Sequence, residues 1–593
     1  MRRLLRLARL RPEFRDGRLS LLGCLSVAAY AGVAALSFGF RYDAPVTGRP
    51  ILAILALFGL LCVLYLLSLF VIAGPSQSVE NSKSTAFDAH RSSFRGVLLF
   101  SVLFRFVLLF SLPIQEVDFY RYLWDGRVLW QGLNPYRYSP AQIDAADSNG
   151  LTDLSELAAL RDSSGPVNEI FNRVHHRHVP TIYPPLAQAL FAACAAMTPA
   201  AAPGWLHLLA LRVLLILVDV AILYSMRGLL RRVGMSDAWC LAYGWCPLAI
   251  KEVANSAHID GLAVLFTLVM LQFLARATAA QSARQRWQAP WAIAGGCLGL
   301  AILSKTYPII LLPLLASFAI ARIGVKAIIP LFACATVLIA GYLPFLDRPA
   351  YSGPSNRFAS NAEAPLVGLQ TFLTHWQMND LLFMVVHENL RQPRGETDRW
   401  FVVTPAEWQR EINLRARSAF ARWGLGPDVD PAFVVTQFLM GSLLLGLSLR
   451  WAWQVYRKPE TLVLLRSAFL VLAWAWLLSS TQNPWYVIWF LPLMPFARCR
   501  SWFLVPCLAF IYYLRFWLII QENGMSANGE CSVFDFGWVW IEHGTALACL
   551  AIESWSCIYW QGDQFGRYSG SLSEGALSLG SSDLSRDSSA DVD

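Results

Sequence analysis

The chain has 593 residues, of which 56% are hydrophobic and only 15% are charged, and its mean hydropathy is +0.45. A water-soluble chain of this length divides into several domains and carries more charge, so that class is excluded. The net charge of +8 does not indicate nucleic acid, because Lys and Arg gather at the ends of apolar runs, where they set orientation in a membrane. The apolar runs are continuous rather than alternating, which predicts an all-α polytopic membrane protein and not a β-barrel. The twelve Cys are scattered, mostly within apolar runs (Cys62, Cys194, Cys297, Cys334), without the paired spacing of a zinc site.

In chain order, residues 1–20 are basic and lack a small-residue cleavage site, which predicts a retained cytoplasmic start. Residues 21–113 then hold three spans, at 21–40, 51–72 and 97–113, with Lys83, Arg91 and Arg95 in the inside loop. Residues 114–204 fall on the extracytoplasmic side. They open with EVDFYRYLWDGRVLWQGLNPYRYSP and include a short apolar run at 184–197 that starts with two prolines, expected to be re-entrant or interfacial. A bundle over 205–346 is expected to contain spans at 205–226, 238–250, 261–275, 289–303, 309–321 and 327–345. Residues 347–431 form a long outer loop, a lid or a substrate platform. A second bundle over 432–560 is expected to carry spans at 433–449, 462–478, 485–496, 503–520 and 537–558. The total is about fourteen crossings with both termini cytoplasmic. Residues 561–593 are rich in Ser, Gly and Asp and read as a disordered cytoplasmic tail.

In this topology each outward junction carries an unusual polar group: Glu116 and Asp118, the HID of 258–260, the SKTYP of 304–308, and the QNPWY of 482–486. Such convergence from distant spans is the main argument for an active site at one face. Asp118, Tyr122 and Asp125 repeat at i, i+4 and i+7 and share a helical face, with Arg121 between the acids. A catalytic face and an amphipathic helix held by its own ion pairs fit that spacing equally well. Lys305 stands in an apolar run, either snorkelling or placed for a phosphate, and the sharp Lys-Thr-Tyr-Pro break favours the phosphate. His258 and Asp260 are two metal-type ligands without a third, and Asp260 reads equally well as a helix cap. The HHRH of 175–178 is a louder cluster, which could bind a metal or a phosphate or equally be a solvated pre-span loop, with metal disfavoured. Trp485, Tyr486 and Trp489 suit an interfacial aromatic belt, and Asp219 is expected to pair with Arg105 or Arg212.

The ordered set EVDFYRYLWDGRVLWQGLNPY, TIYPPLAQALF, NSAHIDGL, LSKTYPIILLPLL and QNPWYVIWFLPL resembles the GT-C membrane glycosyltransferases. Within them it is similar to polyprenyl-phosphate-mannose-dependent mannosyltransferases, such as bacterial glycosyltransferase family 87 and the enzyme adding the first mannose to the GPI anchor. The resemblance covers roughly residues 100 to 500. It implies a GT-C-type helix bundle with a large extracytoplasmic catalytic loop. It also implies a polyprenyl-phosphate-linked sugar as donor, a lipid or glycan as acceptor, and the membrane as surroundings; nucleic acid is not a partner. The family's acidic pair maps to Glu116 and Asp118; the usual first Asp is Glu here, and Asp118 is the expected base. Lys305, with Arg121 and Arg127, is the candidate contact for the donor phosphate. Tyr122, Asp125, Tyr183, Gln188, His258, Asp260, Asn483 and Trp485 are candidate substrate contacts. A divalent metal is compatible with this chemistry, but no spacing supports one, so neither metal ligand nor cofactor is assigned. A transporter or lipid-linked-sugar flippase is the alternative. It is disfavoured because no internal repeat is visible and the charges gather at one face.

Overall fold

A computed structural model describes residues 12–43, 45–73, 83–146, 152–282, 288–346, 376–393, 399–422, 430–521 and 534–553. The expectations for the first eleven residues, for 347–375 of the outer loop and for the tail lie outside the described residues. Among the described residues no strand forms, and one isolated bridge joins Met378 to Thr481.

The main helices are α1 (Pro12–Ser37), α2 (Ile51–Ala73), α3 (Lys83–Leu109), α4 (Phe119–Trp130), α5 (Pro185–Met197), α6 (Gly204–Arg232), α7 (Asp260–Ser282), α8 (Gln288–Ser304), α9 (Leu312–Ile323), α10 (Ile328–Tyr342), α11 (Pro431–Arg457) and α12 (Thr461–Leu478). Lipid offers no partner to a backbone N–H or C=O, so a continuous apolar run closes its own hydrogen bonds as a helix. Among the described residues, eight helical stretches are long and apolar enough to cross a membrane. One of these, Tyr307–Phe345, turns at Gly324, whose φ of 57° a glycine adopts without Cβ strain, and so divides into α9 and α10. Large apolar side chains such as Leu217, Phe332 and Phe438 face outward, as a lipid-facing surface requires. The chain is a polytopic all-α membrane protein.

Two expected spans are not continuous helices. Residues 238–250 form short turns, Asp237–Cys240, Leu241–Gly244 and Pro247–Ile250, followed by a wide π turn at Lys251–Asn255, all buried except the half-buried Trp239. Pro247 lacks the N–H that a helix needs there. The freed carbonyls are met by other elements: Ala242 O accepts from Tyr65 OH at 2.8 Å and Gly244 O from Arg105 Nη1 at 2.8 Å. Residues 485–496 likewise form two 3-10 stretches, Pro484–Trp489 and Leu491–Phe496, broken by Pro484, Pro492 and Pro495. Irregular backbone at membrane depth is tolerated where protein surrounds it. Asp219 pairs with Arg105, one of its two expected partners, and also accepts from Tyr243 OH, all three being buried.

The segment after α3 folds as short capped helices. Ser139, Thr152 and Ser164 cap Pro140–Asp144, Asp153–Arg161 and Gly165–Asn172 with their hydroxyls. α4 lies on α5 so closely that Gly126 meets the backbone of Phe191.

Candidate active site

Two irregular segments meet below the start of α4. One leaves α3 through residues 110–116; the other is the turn at 251–258. Asn255 joins them: its Oδ1 accepts from Ile114 N at 2.9 Å, and its Nδ2 donates to Leu112 O and Ser111 Oγ, both at 2.7 Å. Arg212, the other residue expected to serve Asp219, braces the same junction instead. It donates to Leu109 O at 3.0 Å, to Ser111 O at 2.6 Å and to Asn255 O. Gln115 (φ 63°) and Ala257 (φ 62°) are non-glycine residues in the left-handed region on either side of this junction. Such strain persists only where surrounding contacts over-determine the backbone.

The junction brings Glu116 against Glu252 and His258. His258 Nε2 lies 3.4 Å from Glu252 Oε2 and 3.8 Å from Glu116 Oε2. Lys251 Nζ lies 3.2 Å from Glu252 Oε1 and 3.9 Å from Glu116 Oε1, and donates to Tyr513 OH at 2.7 Å. Tyr513 OH in turn donates to Glu252 Oε1. His258 stacks on Trp485, with ring centroids 4.0 Å apart. Burial holds the Glu116 carboxyl well above the usual range; Lys251 opposes the shift, and Glu252 and Asp118 reinforce it.

Beside this cluster stands a second group. Asp260, the first residue of α7, accepts from Lys305 Nζ and from Trp489 Nε1 on the same oxygen, each at 2.6 Å. Lys305 Nζ is 4.7 Å from the Tyr486 ring centre, and Trp489 stacks between Tyr486 (4.3 Å) and Tyr307 (4.0 Å). His258 and Asp260 therefore do not act as a pair. The left-handed turn at Ala257 precedes them, and the two side chains enter different groups. Trp485, Tyr486 and Trp489 are buried in protein rather than forming an interfacial belt, because the proline-broken segment turns into the bundle.

Asp118 precedes α4 and is half-buried. Among the described residues its carboxylate has no side-chain hydrogen bond and no ion pair within 4.0 Å. Burial raises its carboxyl above the usual range; Lys305, His175 and Arg121 pull it down, and Asp260 pushes it up. Its charge also reaches Tyr122, Tyr183 and Tyr486.

The other candidates serve different purposes. Arg121 clamps the 175–179 loop by donating to the carbonyls of His175 (3.0 Å), His176 (3.0 Å) and Val179 (3.2 Å). Arg127 is buried on the far side of α4, bound to Thr198 and, at 3.2 Å, to His207 Nδ1. Nine residues of helix separate it from Asp118, about half a revolution at 3.6 residues per turn. In these contacts both arginines brace the loop. Tyr122 stacks on Phe191 at 4.8 Å, and Gln188 Nε2 donates to Thr181 Oγ1 at 2.8 Å and more weakly to Asp125 Oδ2 and Tyr183 O, both at 3.4 Å. Asp125 and Gln188 pin α5 to α4 rather than facing the acids. Asn483 is buried just before Trp485. His176 packs on Trp376 at 4.4 Å, and its imidazole is pushed down to about 4, chiefly by burial. Lys251, Glu252 and Tyr513 were missed by the sequence reading, and Trp489 was read there as part of an interfacial belt. Lys251 and Glu252 carried a signal, two adjacent charges ending an apolar run.

No curated protein sequence matches the chain. Among solved structures, the Archaeoglobus fulgidus oligosaccharyltransferase in the apo form aligns at 14% identity and a TM-score of 0.33, over 78% of this chain and 55% of that one. The chain thus spans little more than half the length of that structure. The family described as alpha-(1->6)-mannopyranosyltransferase, N-terminal domain, matches residues 20–321, which include Glu116, Asp118, Glu252, His258, Asp260 and Lys305 and make up just over half of the chain. The chain belongs to this MptA_B family of membrane mannosyltransferases.

Proposed function

We propose that the chain transfers mannose from a polyprenyl-phosphate donor to an acceptor hydroxyl with inversion at the anomeric carbon. The observation that carries this reading is the carboxylate of Asp118. It is partly buried, free of side-chain partners among the described residues, and within electrostatic reach of Lys305. Asp118 removes the proton from the acceptor hydroxyl. The hydroxyl oxygen attacks the anomeric carbon from the face opposite the phosphate, and the bond from that carbon to the phosphate oxygen breaks. A β-linked donor then yields an α-linked product, in keeping with the alpha-(1->6) description of the family.

Lys305 stabilises the departing polyprenyl phosphate. An ammonium has three N–H donors, and Asp260 takes one of them, so Lys305 is held in place with donors to spare. Tyr183, Tyr307 and Tyr486 form an aromatic wall for the sugar, Tyr307 and Tyr486 each having one ring face covered by Trp489. The basic inside loops support an extracytoplasmic active site with both termini cytoplasmic.

The test is transfer of label from radiolabelled polyprenyl-phosphate-mannose to membrane-extract acceptors by the purified chain in detergent, beside Asp118→Asn. Label in an α-linked product with wild type and its loss in the variant are expected. Equal activity of the two proteins would remove Asp118 as the base.

A further inference from the structure

The cluster of Glu116, Glu252 and His258 has two features that its protein partners do not explain. The first is unmet hydrogen bonding. His258 is 1% exposed, and neither of its ring nitrogens has a hydrogen-bond partner among the described residues; the buried Glu116 Oε1 has none either. Buried polar atoms in native proteins are nearly always satisfied, so such orphans in one place call for an occupant.

The second is spacing. Charge-assisted N–H···O bonds run about 2.7–2.9 Å. The gaps from His258 Nε2 to the two glutamates, 3.4 and 3.8 Å, are too long for an imidazolium held by both. They suit atoms that share an ion: two ligands each about 2.1 Å from a metal, at roughly 110–130° to each other, lie about 3.4–3.8 Å apart. The three ligand atoms all fall within 4.8 Å of one another.

We propose that Glu116, Glu252 and His258 bind one divalent cation of the manganese or zinc class, through a carboxylate oxygen from each glutamate and His258 Nε2. Carboxylate oxygens suit manganese and an imidazole nitrogen suits zinc, and three protein ligands leave positions open for water or substrate oxygen. Charge agrees. With both carboxylates ionised by the bound ion, they and the Lys251 ammonium carry one net negative charge, which a dication turns to one positive. Lys251 and Tyr513 hold Glu252 from behind, as outer partners of a metal ligand commonly do. Trp485 fixes the plane of the imidazole by stacking.

The experiment uses the full chain purified in detergent, stripped with chelator and titrated with manganese chloride. Free Mn2+ is followed by its electron paramagnetic resonance signal, and bound Mn2+ by its coupling to nitrogen. Expected are one Mn2+ per wild-type chain with imidazole-nitrogen coupling, competition by zinc, and binding weakened roughly tenfold or more in Glu252→Gln and His258→Ala. Asp125→Asn, outside the cluster, should bind as wild type does. Absence of stoichiometric binding by the wild type would overturn the proposal, as would binding unchanged in His258→Ala. Should that variant not elute as a folded species, bound Mn2+ in the wild type without nitrogen coupling would overturn it equally.

Discussion

Replacing Gly126 by Ala probes the seam that positions Asp118. A Cβ at this position would sit 2.5 Å from the carbonyl carbon of Phe191 and 2.9 Å from its Cβ, whereas ordinary contact begins at 3.4 Å. Neither neighbour is the flexible tip of a side chain, so α4 and α5 must part by roughly 1 Å, and close-packed interiors do not absorb such a shift freely. Overpacking of this kind costs about 1–3 kcal/mol, offset by about 1 kcal/mol from replacing a mid-helix glycine. The expected net loss is up to about 2 kcal/mol. α4 begins next to Asp118, and Gln188 on α5 anchors Tyr183 and Thr181. Parting the helices therefore moves Asp118, the proposed base, relative to Tyr183, and misplacement by about 1 Å can cost about 100-fold in rate. Thermal unfolding in detergent and initial rates of mannosyl transfer measure the two effects. Gly446→Ala in α11, where an added Cβ meets nothing within 4 Å, is the control. A Gly126→Ala protein with the melting temperature and kcat/KM of wild type would refute the argument.

Asp118→Asn should lower kcat by about 100- to 10,000-fold while leaving the melting temperature within error, as read by transfer kinetics beside thermal unfolding. As the proposed base Asp118 acts deprotonated, and its carboxyl is raised by burial, so activity should rise with pH through a limb above the ordinary Asp value of about 3.9. Lys305 holds that carboxyl down, so Lys305→Met should move the limb to higher pH and raise KM for the donor; a limb that stays put or moves down in the kcat/KM profile contradicts the pairing. Asp219→Ala leaves the buried Arg105 guanidinium without its counter-charge and should cost about 3–5 kcal/mol in denaturant unfolding. Adding Arg105→Met should recover part of that loss.

Much of the helical layout was legible along the chain. Apolar runs such as 51–72 and 462–478 have no alternative to a helix in lipid, and α2 and α12 follow them closely. The acidic-aromatic stretch at 116–140 stood out because nothing apolar accounts for it. The runs at 238–250 and 485–496 were as apolar as their neighbours, and hydropathy alone does not separate a lipid-facing run from one enclosed by protein. The prolines at 247, 484, 492 and 495 marked the breaks, but they became tolerable only because Tyr65, Arg105 and other distant side chains meet the freed backbone.

Local spacing determined that this is an all-α membrane protein and which stretches carry acids, histidine and lysine. It also placed Asp118 and Asp125 on one helical face, yet it could not show that Asp125 is spent on Gln188. Only the tertiary structure decided the partners: Lys251 meets Tyr513 across 262 positions, Asp260 meets Trp489 across 229, and Asn255 ties Ile114 down across 141. Helical periodicity relates residues a few positions apart. Contacts across hundreds of positions depend on which helix faces pack together, and that is settled by the shape and burial of the whole bundle.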